Sequence, residues 1–188
     1  MTFVDPLSVM LLAAGASTLL LAIYAFMAAR NKKGLNTLAV PAFVFGLFNF
    51  VSGFYMSFAW PLPGAFNMLF GDAQLFLGLL MIMGGYMLYK NIDLKVLTIF
   101  GFFFGIYLAA QAAGMASFGL ETGSHFIPAF GLYVFAALSA IFSPLAYVKG
   151  KSSMKYAYYF LFALLIITTL LLLFLGYTSI YEHLGSPP

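Results

Sequence analysis

The sequence contains no cysteine, which excludes disulfides, thiolate metal sites and cysteine nucleophiles together. It is equally poor in charge: 7% of its 188 residues are charged, against 64% hydrophobic. A soluble domain of this length cannot hide so much apolar surface, so the implied solvent is a bilayer. The mean hydropathy of +1.04 agrees. Catalytic signatures are missing as well: no P-loop, GxGxxG, GxSxG or HExxH pattern occurs. An enzyme has little to stand on, and no cofactor and no metal are expected. Nor does the net charge of +3 point to nucleic acid, because the basic residues lie in short clusters between apolar runs, where membrane topology accounts for them. The opening Met1-Thr2-Phe3-Val4-Asp5-Pro6 lacks the basic start of a signal peptide, so the first apolar run is read as a retained helix.

What the sequence has in abundance is spanning-length apolar runs, at about residues 8–29, 38–60, 73–89, 96–116, 126–148 and 156–180. These predict a single all-helical transmembrane domain over residues 1–188 with six helices. Basic residues sort among the five connections: Arg30, Lys32 and Lys33 in the first, Lys90 and Lys95 in the third, Lys149, Lys151 and Lys155 in the fifth. Lys and Arg resist translocation, so both termini are expected outside a multi-pass protein of the plasma membrane. Asp5, Asp72, Glu121, His125, Glu182 and His183 then face outward, with Asp93 inside. The second connection, Trp60 to Asp72, is too apolar for a wet loop, and its Pro63-Gly64 turn is expected to fold Phe66 or Phe70 over the bundle. Phe45-Gly46-Leu47-Phe48-Asn49-Phe50 also echoes Phe130-Gly131-Leu132-Tyr133-Val134-Phe135, each after a proline. That echo admits an inverted repeat of three helices plus three.

Every ionisable residue falls at or beyond a predicted helix end. Pumps and proton-coupled carriers keep such groups at depth, whereas a route for a neutral solute needs none. The candidate lining of that route is Asn49, Ser52, Tyr55, Tyr107, Gln111 and Tyr133. Two roles fit Asn49: an amide offered to a solute, or a hydrogen bond that glues neighbouring helices. Asp72, Glu121 and His125 are candidates for an outer mouth that senses pH, since imidazole titrates near neutrality. Glycines at 46, 53, 78, 84, 85, 101 and 105 read as packing faces.

Asp5-Pro6-Leu7, and Phe54 to Asn67 with its Trp60-Pro61-Leu62-Pro63-Gly64 core, followed by Phe70-Gly71-Asp72, resemble an archaeal and bacterial membrane family of unknown function. The likeness covers nearly the whole chain and implies no activity. Gly71 to Gly78, Tyr86, Tyr89, Asn91-Ile92-Asp93-Leu94 and Phe103 to Tyr107 are more distantly similar to the acid-gated urea channel and amide transporter family. That resemblance implies six spans, a small amide as permeant, a pore in each protomer and a homo-oligomer, up to a hexamer. The tryptophan-rich fifth span of those channels is replaced here by Tyr133, Phe135 and Phe142. Length, span number and Asp5-Pro6-Leu7 also resemble the acetate-uptake family, without its asparagine-proline-alanine-proline signature. The expected function is a passive channel or facilitator for a small neutral or weakly acidic solute of the amide, urea or short-chain acid class. The alternative is a non-catalytic scaffold or subunit of a larger membrane complex.

Overall fold

The computed structural model describes residues 6–148 and 150–185; the expectations for Asp5 and Lys149 lie outside them. Six helices in this range are long and apolar enough to cross a membrane. They are α1 (Leu7–Ala29), α2 (Ala39–Ala59), α3 (Ala73–Tyr89), α4 (Lys95–Phe118), α5 (Phe126–Ile141) and α6 (Lys151–Gly185), and no strand occurs among the described residues.

The helix ends follow local chemistry. Both α1 and α3 stop at an asparagine with positive φ, Asn31 at 49° and Asn91 at 54°. The next amide then reaches back to a carbonyl of the last turn, Lys32 N to Met27 O at 2.9 Å and Ile92 N to Met87 O at 2.8 Å. α5 ends at Ile141, earlier than its apolar run predicts, because Pro144 cannot continue an α-helix; Ser143–Tyr147 rewind as a 3₁₀ turn. α3 departs the other way. It is entered through a π turn, Asn67–Asp72, so Asp72 lies inside a continuous helical span and not in a loop before it. Asp72, expected just before its helix, thus stands inside the helical span Asn67–Tyr89, near its start.

Helix pairs touch where glycine removes a side chain. A Cβ on Gly53 would fall 2.3 Å from Leu75 N and one on Gly78 2.3 Å from Phe50 N, which brings α2 and α3 to backbone contact. Gly105 packs likewise on Ile141 N at 2.7 Å, joining α4 to α5, and Gly15 and Gly176 join α1 to α6. Lipid supplies no hydrophobic drive between helices, so close approach of this kind is what holds them. α1, α3, α4, α5 and α6 surround most of a central space, and α2 packs on α1 and α3, adding Ala42 to the lining. Successive helices run in opposite directions, which gathers Arg30, Lys90, Lys95 and Lys155 at one end, the basic end, and Glu121, His125 and Glu182 at the other, the acidic end.

The connection from Trp60 to Phe66 is drawn down onto the acidic end by Asn67, a fully buried side chain. Its Oδ1 accepts from Leu62 N at 2.8 Å, and its Nδ2 donates to Leu62 O and, at 3.2 Å, to Gly64 O. Leu62 and Phe70 are buried beneath, and the Phe66 and Phe70 rings stack at 6.3 Å. Asn67→Ala removes all three bonds and orphans a buried amide and carbonyl, at a cost of about 1–3 kcal/mol. Limited proteolysis in detergent is expected to show new cleavage between Leu62 and Phe70; resistance equal to the parent protein would mean the turn is held by something else.

Candidate functional site

Inside the ring of helices lies one cavity of about 280 Å³. It is tall: its walls include α1 from Leu11 to Ala25 and α6 from Tyr158 to Leu172, each rising about 21 Å at 1.5 Å per residue. That is some two thirds of a hydrocarbon core of ~30 Å. Leucine, alanine, methionine and glycine supply most of the wall, and no charged side chain contributes. At the acidic end the space stops against Phe70, Leu108, Leu132 and Leu172, part of a continuous packed core. At the basic end it is bordered by Tyr24, Tyr147 and Tyr158.

The plug at the acidic end is built around the π turn. Asp72 Oδ1 accepts from Ser57 Oγ at 2.6 Å, and Oδ2 accepts from the Tyr107 hydroxyl at 2.7 Å. Gln111 Nε2 donates to Met68 O at 3.0 Å, Leu69 O at 3.2 Å and the Tyr107 oxygen at 3.2 Å. Tyr133 donates to Leu69 O at 2.7 Å from full burial, with its ring 6.2 Å from that of Phe70. A π turn displaces carbonyls from the i−4 ladder, and Gln111 and Tyr133 engage two of them. Gln111 Oε1 is the buried side-chain polar atom left without a partner among the described residues. Four residues named from the sequence, Asp72, Tyr107, Gln111 and Tyr133, thus meet in one network, with Ser57 as a fifth member. The Asp72 carboxylate is turned toward neighbouring helices, where Ser57 and Tyr107 satisfy both of its oxygens.

Asn49 and Ser52 belong to a second network. Asn49 Nδ2 donates to Ser17 Oγ at 2.6 Å, and its Oδ1 accepts from Gln74 Nε2 at 2.8 Å. Gln74 also donates to Met10 O at 3.1 Å, so the amides clamp α1, α2 and α3 together. Tyr55 stands apart, exposed on the outer face of α2 beside Phe48 and Val51. Of the six residues named for a solute route, Tyr133 lines the central cavity; the other five stand behind its wall. Asn49→Leu leaves a buried serine and a buried glutamine short of partners, which predicts a loss of about 1–3 kcal/mol with solute flux per folded molecule unchanged. Thermal unfolding and flux measured on the same reconstituted variant check both halves.

Glu121 and His125 form the rim with α6. His125 Nε2 lies 3.2 Å from Glu182 Oε1. Burial raises the Glu121 carboxyl above the ordinary carboxylate range, and the neighbouring His125 opposes that rise. The wall residues that sequence reasoning missed are Phe70, Gln74, Tyr24, Tyr147 and Tyr158. Their signal was weak: each tyrosine sits near a basic cluster, where an interfacial anchor is the ordinary assignment.

Over residues 1–186 the chain matches the family described as Protein of unknown function (DUF981). No curated protein matches it, and no solved structure does. The chain belongs to that family, as the Trp60 to Asn67 segment and its flanks led one to expect.

Proposed function

We propose that the protein is a passive conduit for a small neutral or weakly acidic solute, in a conformation closed at its acidic end. The cavity carries this reading: it runs along the bundle for about 21 Å, some two thirds of a hydrocarbon core of ~30 Å, and has no charged side chain in its wall. An ion entering it would lose hydration without replacement, whereas an uncharged molecule loses much less. The likeness to urea and amide channels, a sequence feature alone, favours the same class. Orientation is part of the proposal, with the basic connections cytoplasmic and both termini outside the plasma membrane. Single cysteines at Asn31, Asn91 and Ser152 are then expected to react from the cytoplasmic side and at Ala65 and Gly123 from the other.

The deciding experiment is flux into liposomes across urea, amides, glycerol and short-chain acids. Uptake of at least one of them above protein-free vesicles supports a conduit. If every solute stays at background, the scaffold reading takes its place; the packed core at the acidic end and the exposed apolar face of α2, Val40 to Phe58, are the features that favour it.

A further inference from the structure

We propose that the central tunnel is a binding site for one linear hydrocarbon chain bearing an uncharged oxygen-containing head, with the head seated among Tyr24, Tyr147 and Tyr158. This rests on reading the cavity as a space that holds solute, and it narrows the solute to an amphiphile.

Shape is the first ground. A space about 21 Å tall with a volume of about 280 Å³ is long and thin, which suits a single extended chain. Wall chemistry is the second. Hydroxyls along its length already donate to protein carbonyls: Thr18 to Gly15 O, Thr168 to Leu164 O, Ser139 to Ala136 O. Gln74 and Tyr133 likewise spend their donors on Asn49, Met10 and Leu69. A solute that needs donors at both ends finds few along this wall, and an aliphatic chain needs none.

The basic end differs. Tyr24, Tyr147 and Tyr158 come from α1, the 3₁₀ turn after α5 and α6, and all three line the cavity at this end. The Tyr24 and Tyr158 rings meet edge to face at 6.3 Å. A phenolic hydroxyl donates one hydrogen bond and accepts others, so the trio can both give to and accept from a head group. Three of the cations at this end, Arg30, Lys90 and Lys155, lie over the rings of Phe26, Tyr89 and Tyr159. No charged side chain reaches the lining of the cavity, so an anionic head would find no cation to pair with there, which leaves a neutral one.

The test uses the full chain in detergent and a decanol carrying a mid-chain diazirine. Photolysis is expected to place adducts on tunnel residues such as Ala136, Leu161 and Leu165. Excess decanol should remove them, and ionised decanoate should not. Replacing all three tyrosines by phenylalanine should lower tunnel labelling about tenfold, the worth of roughly one hydrogen bond, and Ala136→Phe, which narrows the tunnel and leaves the hydroxyls intact, should lower it too. Gel filtration and circular dichroism certify that both variants fold. Adducts confined to lipid-facing positions such as Phe103 and Ile127, or tunnel labelling untouched by both folded variants, would overturn the site. Native mass spectrometry separates the sources: a co-purified neutral lipid that decanol displaces identifies the bilayer, and a lipid-free protein that takes up decanol identifies a free amphiphile. Tunnel labelling without liposome flux ends the conduit reading and leaves the site; flux without tunnel labelling does the reverse.

Discussion

Phe70→Ala is expected to raise solute flux through the reconstituted protein about tenfold per folded molecule, equivalent to lowering the barrier by ~1.4 kcal/mol. Phe70 is 8% exposed and forms the floor of the cavity at the acidic end. Its ring lies between those of Phe66 and Tyr133, at 6.3 and 6.2 Å. Truncation removes an aromatic side chain that both lines the cavity floor and belongs to the packed core beneath the Trp60 to Phe66 connection. The same change opens a void in the core, and the usual penalty for Phe→Ala is about 3–5 kcal/mol. Flux must therefore be normalised to folded protein. Phe66→Ala is the control, since Phe66 packs on Phe70 and does not line the cavity; it should change flux little. If Phe70→Ala leaves flux per folded molecule at the parental level, the acidic-end plug is not the barrier.

How far these features were legible in the sequence depends on how local their causes are. Six helices and the sorting of charge were legible because an apolar run of ~20 residues has one stable form in lipid. The early end of α5 was visible in Pro144, although the apolar residues on both sides hid it. The π turn was not visible: residues 67–72 carry nothing that separates a π from an α turn, and what holds the widened turn comes from Gln111 and Tyr133, some forty and sixty residues away. Asn49 stood out as an amide in mid-span. Whether it faced a cavity or another helix depended on Ser17 and Gln74, whose register no single window reveals. The tyrosine trio gathers from three elements, so no motif could announce it.

Gly78→Ala is expected to be the most damaging single methyl group in the protein. In a lone helix the exchange would help, by roughly 1 kcal/mol of propensity. Here the added Cβ would lie 2.3 Å from Phe50 N, 2.6 Å from Phe50 Cα and 2.8 Å from Gly46 O. All three atoms are backbone, so no rotamer change relieves the clash and α2 must move away from α3. Overpacking of this kind costs about 3 kcal/mol or more at the upper end of its usual range, which outweighs the propensity gain. The damage should spread, because Gln74 lies one turn before Gly78 and its bond to Asn49 spans the same seam, as does the bond from Ser57 to Asp72. Gly84→Ala is the matched comparison: its Cβ would meet only the end of the Leu97 side chain, at 3.3 Å. Thermal unfolding should then show Gly84→Ala close to the parent and Gly78→Ala far below it, with loss of the monodisperse peak in gel filtration. Equal midpoints for the two variants would mean that α2 and α3 do not approach to backbone contact, and the positions of both polar networks, which depend on that approach, would fall with it.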